Sequence, residues 1–150
     1  MKRVLVVIGY QDEKFEYLRE KDVERLSNWI SANQGDFDYT ISIVREAGNR
    51  NIEKSGMEII DNTTMNHYPF EVHQEITVHG YDLDCSILDE NTEYYIVGTY
   101  TAEAILCTAM SMYSMGMKVK VIENYCLDRR DLHKNAINIM MEYMKDCVIR

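Results

Sequence analysis

Residues 93–123 read EYYIVGTYTAEAILCTAMSMYSMGMKVKVIE. The apolar run Tyr94–Val97 has the β-branched and aromatic content of a strand, and Gly98 turns it. Apolar residues then recur at helical spacing from about Ala102 to Met115, Gly116 stops that helix, and Lys118–Glu123 alternates as a second strand. Strand, tight turn, helix, strand is the repeating unit of a parallel sheet. In such a unit the helix begins at the carboxyl end of the first strand. Free backbone N–H groups and the helix dipole favour negative charge and hydrogen-bond acceptors there. The residues at Thr99–Ala104 therefore govern what the protein can do.

The flanks extend the same pattern. Val4–Ile8 is an unbroken apolar run with three valines, the mark of a strand buried on both faces, and Gly9 ends it. Tyr10–Arg19 is polar and reads as a loop. Asp22 is the candidate cap of a helix with Val23, Leu26, Trp29 and Ile30 on one face. Tyr39–Val44 reads as strand two. From Arg45 to Pro69 no period is sustained, so loops are expected, with a short turn near Met57–Ile60. Phe70–Val78 resembles a strand, and Asp82–Leu88 a brief helix. After Lys118–Glu123 come a polar loop, Asn124–Asp131, a helix over Leu132–Met144 and a last short strand at Cys147–Ile149. The fold class expected is α/β: one domain over residues 1–150, a three-layer sandwich around a mainly parallel sheet.

The chain of 150 residues is 46% hydrophobic, enough for one core and too little for two. No apolar run approaches a membrane span and no signal peptide is evident, so a cytoplasmic protein with no membrane contact is expected. The cysteines at 85, 107, 126 and 147 form no CxxC pair and read as reduced thiols. Net charge is −9, and it is localised: Ser55–Met117 holds ten acidic residues and no Lys or Arg. Such a surface repels phosphate, which argues against nucleic acid as a partner.

Two stretches resemble the isochorismatase-like cysteine hydrolases, a family that includes nicotinamidases. Members open with a strand ending in Asp-x-Gln-x-x-Phe. Here the run is Gly9-Tyr10-Gln11-Asp12-Glu13-Lys14-Phe15, with Gln11 and Phe15 set against the Gln and Phe, and Gly9 against the Asp. Members also carry Gly-x-x-Thr-x-x-Cys, with a Gly twelve residues beyond the Cys. Here Gly98, Thr101 and Gly116 keep that spacing, and Ala104 stands at the nucleophile. The resemblance implies an α/β fold, a cis peptide before Tyr100, and a reaction that needs Asp, Lys and Cys. The thiolate attacks an amide or vinyl-ether carbon, the carboxylate shuttles the proton, and the ammonium lowers the thiol pKa. Gly9 and Ala104 can do neither of the first two tasks, and no Lys occurs between residues 55 and 117. The family's metal-binding Asp-x-His after strand two is also missing from Val44-Arg45-Glu46-Ala47-Gly48.

The expectation is thus a catalytically degenerate, isochorismatase-like protein with no cofactor and no metal, which works by binding a small molecule or another protein. A pocket for a small polar or carbonyl-bearing ligand would be lined by Gly9, Gln11, Phe15, Tyr100, Thr101, Ala104 and Cys107. In the competing reading Tyr100 and Phe15 fill the hole. Two further readings stay open: an active hydrolase with a relocated set, Cys107 and Asp12, and a flavodoxin-like module unrelated to that family. Cys107 lies three residues beyond Ala104 among apolar neighbours, where a buried thiol acts as a small hydrophobe. His67, His73 and His79 recur every six residues but would spread over ~20 Å of strand, too far for one ion. Methionines 110, 112, 115 and 117, with 140, 141 and 144, crowd two helices and suggest a homo-oligomer interface.

Overall fold

Val4–Ile8 lies at the centre of the molecule, 0–3% exposed, with alternate side chains entering two separate cores. Val4, Val6 and Ile8 face one side of the sheet; Leu5 and Val7 face the other. This is why the run is apolar without alternation: each fully buried aliphatic side chain contributes roughly 2 kcal/mol of transfer free energy, and neither face is left to water. The computed structural model describes residues 1–11, 15–45, 56–61, 68–79 and 88–150 of the chain.

In chain order the elements are β1 (Arg3–Ile8), α1 (Glu20–Asn33), β2 (Tyr39–Arg45), β3 (Gly56–Asp61), β4 (Gln74–His79), β5 (Glu93–Thr99), a π turn (Thr101–Ile105) running into α2 (Leu106–Ser114), β6 (Lys118–Leu127), α3 (Arg130–Tyr143) and β7 (Val148–Ile149). The sheet order is β3-β4-β2-β1-β5-β6-β7. Every neighbouring pair is parallel except β3 with β4. Leu26 and Ile30 of α1 pack on the Leu5/Val7 face; Ala109 and Met112 of α2 and Ala136, Ile137 and Met140 of α3 pack on the other. The three-layer α/β architecture is the one expected. Among the described residues no helix is long and apolar enough to cross a membrane.

Several boundaries differ from the sequence reading. Helix α1 starts at Glu20, with Arg19 rather than Asp22 at its cap; Asp22 sits in the first turn, where the helix dipole favours it. Met57–Ile60 is not a turn but part of β3, whose partner β4 is distant in sequence and gives no local signal. The brief helix expected at Asp82–Leu88 falls, save for Leu88, outside the described residues. Strand β6 does not stop at Glu123. Its pairing with β5 jumps from Ile96↔Val121 to Gly98↔Cys126 and Thr99↔Leu127, so the polar stretch expected as a loop is partly a bulge inside a longer strand. Most of the methionines expected at an interface serve the core: Met112, Met140 and Met144 are buried, and Met110, Met117 and Met141 pack against them, while Met115 is exposed.

Candidate functional site

Strand β1 is flanked by β2, which follows it, and by β5, which arrives from the far side of the sheet. The chain therefore reverses direction across the sheet between β1 and β5, and crevices for ligands form at the carboxyl ends of strands at such a point. Gly9 and Thr99 stand there, as the shared spacing with a cysteine hydrolase required. Gly9 and Ala104, expected from the resemblance to face one cavity, do not both line the cleft described below.

The crevice is packed from both strands. Gly9 has φ +67°, and a Cβ added there would lie 2.4 Å from the Thr99 carbonyl oxygen and 2.8 Å from its hydroxyl. The Thr99 hydroxyl donates to the Gly9 carbonyl at 2.8 Å. Gly98 has φ +127°, and a Cβ there would lie 2.0 Å from the Ile8 carbonyl oxygen. Two glycines let β1 and β5 close on each other where side chains would hold them apart. The Thr99–Tyr100 peptide is cis, as the resemblance implied.

The other expected site residues go to different places. Gln11 is buried, and its amide clasps the β2 backbone: Nε2 donates to the Arg45 carbonyl at 2.8 Å, and Oε1 accepts from the Arg45 N–H at 2.9 Å. It is a clamp on the end of β2. Phe15 lies one residue later than the Asp-x-Gln-x-x-Phe spacing places its Phe. Its ring packs edge-on against Tyr10 at 4.9 Å, within an aromatic cluster that includes Tyr68 and Phe70. Thr101 is fully buried, its hydroxyl 2.8 Å from Nδ1 of His133 on α3. Ala104 is half-buried against the core shared by α2 and α3. Cys107 is half-buried rather than buried, on α2. Asp12 lies outside the described residues. Of the expected set, Tyr100 alone lines the cleft described next.

That cleft, about 420 Å³, opens between the π turn and the segment joining β6 to α3. Tyr17, Tyr100, Ala102, Glu103, Asp128, Arg129 and Leu132 line it. Asp128 arrives there because β6 resumes pairing beyond its bulge and sets Leu127 beside Thr99. Its Oδ2 accepts the Ala102 N–H at 2.9 Å, and its Oδ1 accepts the Arg129 N–H at 2.7 Å, so one carboxylate serves the starts of two helices. Glu103 pairs with Arg45, which brings a guanidinium from the end of β2 to the first turn before α2. Burial is the main cause raising the Tyr100 phenol pKa. A backbone hydrogen bond from Tyr17 opposes it, and the negative charges of Asp128 and Glu103 add to it. Burial lowers the His133 pKa, against smaller opposing effects of Glu123 and Asp128.

The sequence reading missed Arg45, Asp128 and His133. Arg45 stands in the sequence only as part of an absent metal motif, and in the fold its guanidinium pairs with Glu103 of this turn. Asp128 carried a readable signal, an acidic residue just before a helix, hidden by taking 124–131 as one loop. Among the described residues no group of three or more His, Cys, Asp or Glu is placed to hold a metal ion. His73 Nδ1 accepts the Thr40 N–H at 2.9 Å and its ring stacks on Tyr39 at 4.9 Å, a structural role; His67 and the side chain of His79 lie outside the described residues.

No protein-family model matches the sequence, and no curated protein sequence matches it. Solved structures do. A nicotinamidase from Staphylococcus aureus is 19% identical over 99% of this chain and 100% of that one, with a TM-score of 0.66. A nicotinamidase/pyrazinamidase from Bacillus subtilis is 14% identical over 100% of both chains, TM-score 0.67. An isochorismatase family protein from Desulfovibrio vulgaris is 14% identical over 98% of this chain and 93% of that one, TM-score 0.68. The chain has the nicotinamidase/isochorismatase-like fold.

Proposed function

We propose that this chain is a small-molecule-binding protein on the isochorismatase-like fold, without the thiol hydrolysis that the fold carries elsewhere. The observation behind the reading is the packing at Gly9. On this backbone a Cβ at Gly9 would lie 2.4 Å from the Thr99 carbonyl oxygen, which supports a site that works without the proton-accepting carboxylate. Ala104, at the position of the nucleophile, offers no lone pair for attack.

The thiols among the described residues support the same reading; Cys85 lies outside them. Burial raises the pKa of Cys126 and of Cys147, which disfavours the thiolate that attack requires. Cys107 does not line the cleft. What persists is a hollow of ligand size at the carboxyl edge of the sheet.

Ammonia release from nicotinamide and pyrazinamide tests the loss of chemistry. The purified protein is expected to release none above the spontaneous rate, and Ala104→Cys is expected to restore none. Turnover abolished by Cys107→Ala would overturn the reading in favour of a relocated catalytic set. Turnover regained by Ala104→Cys alone would show that the packing at Gly9 is no obstacle.

A further inference from the structure

Among the described residues eight large apolar side chains are exposed. Five of them, Tyr113, Met115, Leu132, Ile139 and Tyr143, stand on α2, on the residue that ends it and on α3, at 39–66% exposure. Single apolar residues on a surface need no explanation; a cluster does. Leu132, Ile139 and Tyr143 fall within about 40° of one another around α3. Leu132 lines the cleft together with Ala102, which turns that flank of α3 toward the start of α2. The Thr101–His133 hydrogen bond ties the turn leading into α2 to the first turn of α3. At the other end Tyr113 shares a hollow with Cys147, just past α3. The two helices therefore lie side by side. Leu106 and Met110, on the Tyr113 flank of α2, are half-buried against the core between them.

Charge sets this face apart. Residues 104–117 contain no Asp, Glu, Lys or Arg. The exposed side of α1, by contrast, carries Glu20, Lys21, Glu24 and Arg25, and that of α3 carries Asp131, Lys134 and Glu142 beyond the apolar stripe. A helix without charge on its outward side is ordinarily covered there. The net charge of −9 bears on what covers it. Two copies of so acidic a chain repel over most of their surface, so they meet where no charge faces charge. A basic protein is drawn to the acidic surface rather than to this one, and an anionic lipid surface finds no Lys or Arg on α2. Two helices of 9 and 14 residues side by side make a face roughly 20 Å square. That suits the smaller specific interfaces, which bury about 600 Å² per partner. We propose that the Tyr113–Ile139–Tyr143 face of α2 and α3 is a homodimer interface, set by a two-fold axis against the same face of a second copy. Leu132 belongs both to this face and to the cleft wall, so the second copy borders the cleft mouth.

Sedimentation equilibrium of the full chain from about 1 to 300 µM, the range suited to a small interface, reads the association directly. The average mass is expected to climb from the monomer value toward twice it. Ile139→Glu and Met115→Glu would each bury an unpaired charge in the dimer, and each is expected to weaken association on the order of tenfold or more. Both side chains are exposed in the single chain, and unchanged far-UV circular dichroism identifies a folded variant. Asn28→Glu adds the same charge to the exposed side of α1, in the opposite layer, and is expected to keep the association constant within about twofold. Raising salt screens the repulsion between two chains of charge −9 and is expected to tighten the dimer, the reverse of an interface held by ion pairs. A monomer throughout this range would overturn the proposal. So would a dimer that either folded variant leaves intact, or one that loosens as salt rises.

Discussion

Gly9 has a packing role at the end of β1. Its left-handed backbone and its approach to Thr99 leave no room for a side chain as the strands now lie. Gly9→Ala is expected to destabilise the fold by about 2–4 kcal/mol, from backbone strain and from the clash with a strand end. Urea unfolding followed by the fluorescence of Trp29, which stacks on Tyr125 at 4.6 Å between α1 and β6, measures it. A loss within ~0.5 kcal/mol, the range of an ordinary surface substitution, would mean that the end of β5 yields freely. Gln11 carries a related lesson. Its place after strand one was legible in sequence and suggested a ligand contact, yet both ends of its amide go to the Arg45 backbone. A polar residue at a site edge looks the same in sequence whether it faces a ligand or a neighbouring strand.

At the scale of elements, the β5–turn–α2–β6 unit was legible almost throughout, because strand and helix periods and two glycines are local signals. The bulge in β6 was not, since it depends on pairing with β5. That bulge brings Asp128 to the starts of two helices. Asp128→Ala is expected to cost about 1–2 kcal/mol, the range for removing a charged acceptor from backbone N–H groups, and Asp128→Asn clearly less. Differential scanning calorimetry of the two variants checks the order; equal melting temperatures would show that these bonds are not stabilising. Strand β3 was missed for the same reason as the bulge: its antiparallel partner β4, not its own residues, makes it a strand.

For the molecule as a whole, one titration has a definite sign. Burial lowers the His133 pKa in the folded chain, so the unfolded chain binds its proton more tightly. The stability this neutral imidazole contributes is therefore present above the unfolded value near 6.5 and is lost as pH falls through the lower folded value. Unfolding free energies at pH 7.5 and 5.5 are expected to fall toward acid, with a shallower fall in His133→Asn; identical slopes would remove His133 from the account. Sequence by itself determined the class of fold, the central place of β1 and the absence of Cys at position 104 and of Asp at position 9. Burial on two faces demands an unbroken apolar run, and an alanine cannot attack carbon whatever surrounds it. Only the tertiary structure decided which residues meet at the cleft. It is built from Tyr17, Tyr100 and Asp128, far apart in the chain, and long-range strand pairing carries a carboxylate there to a helix start.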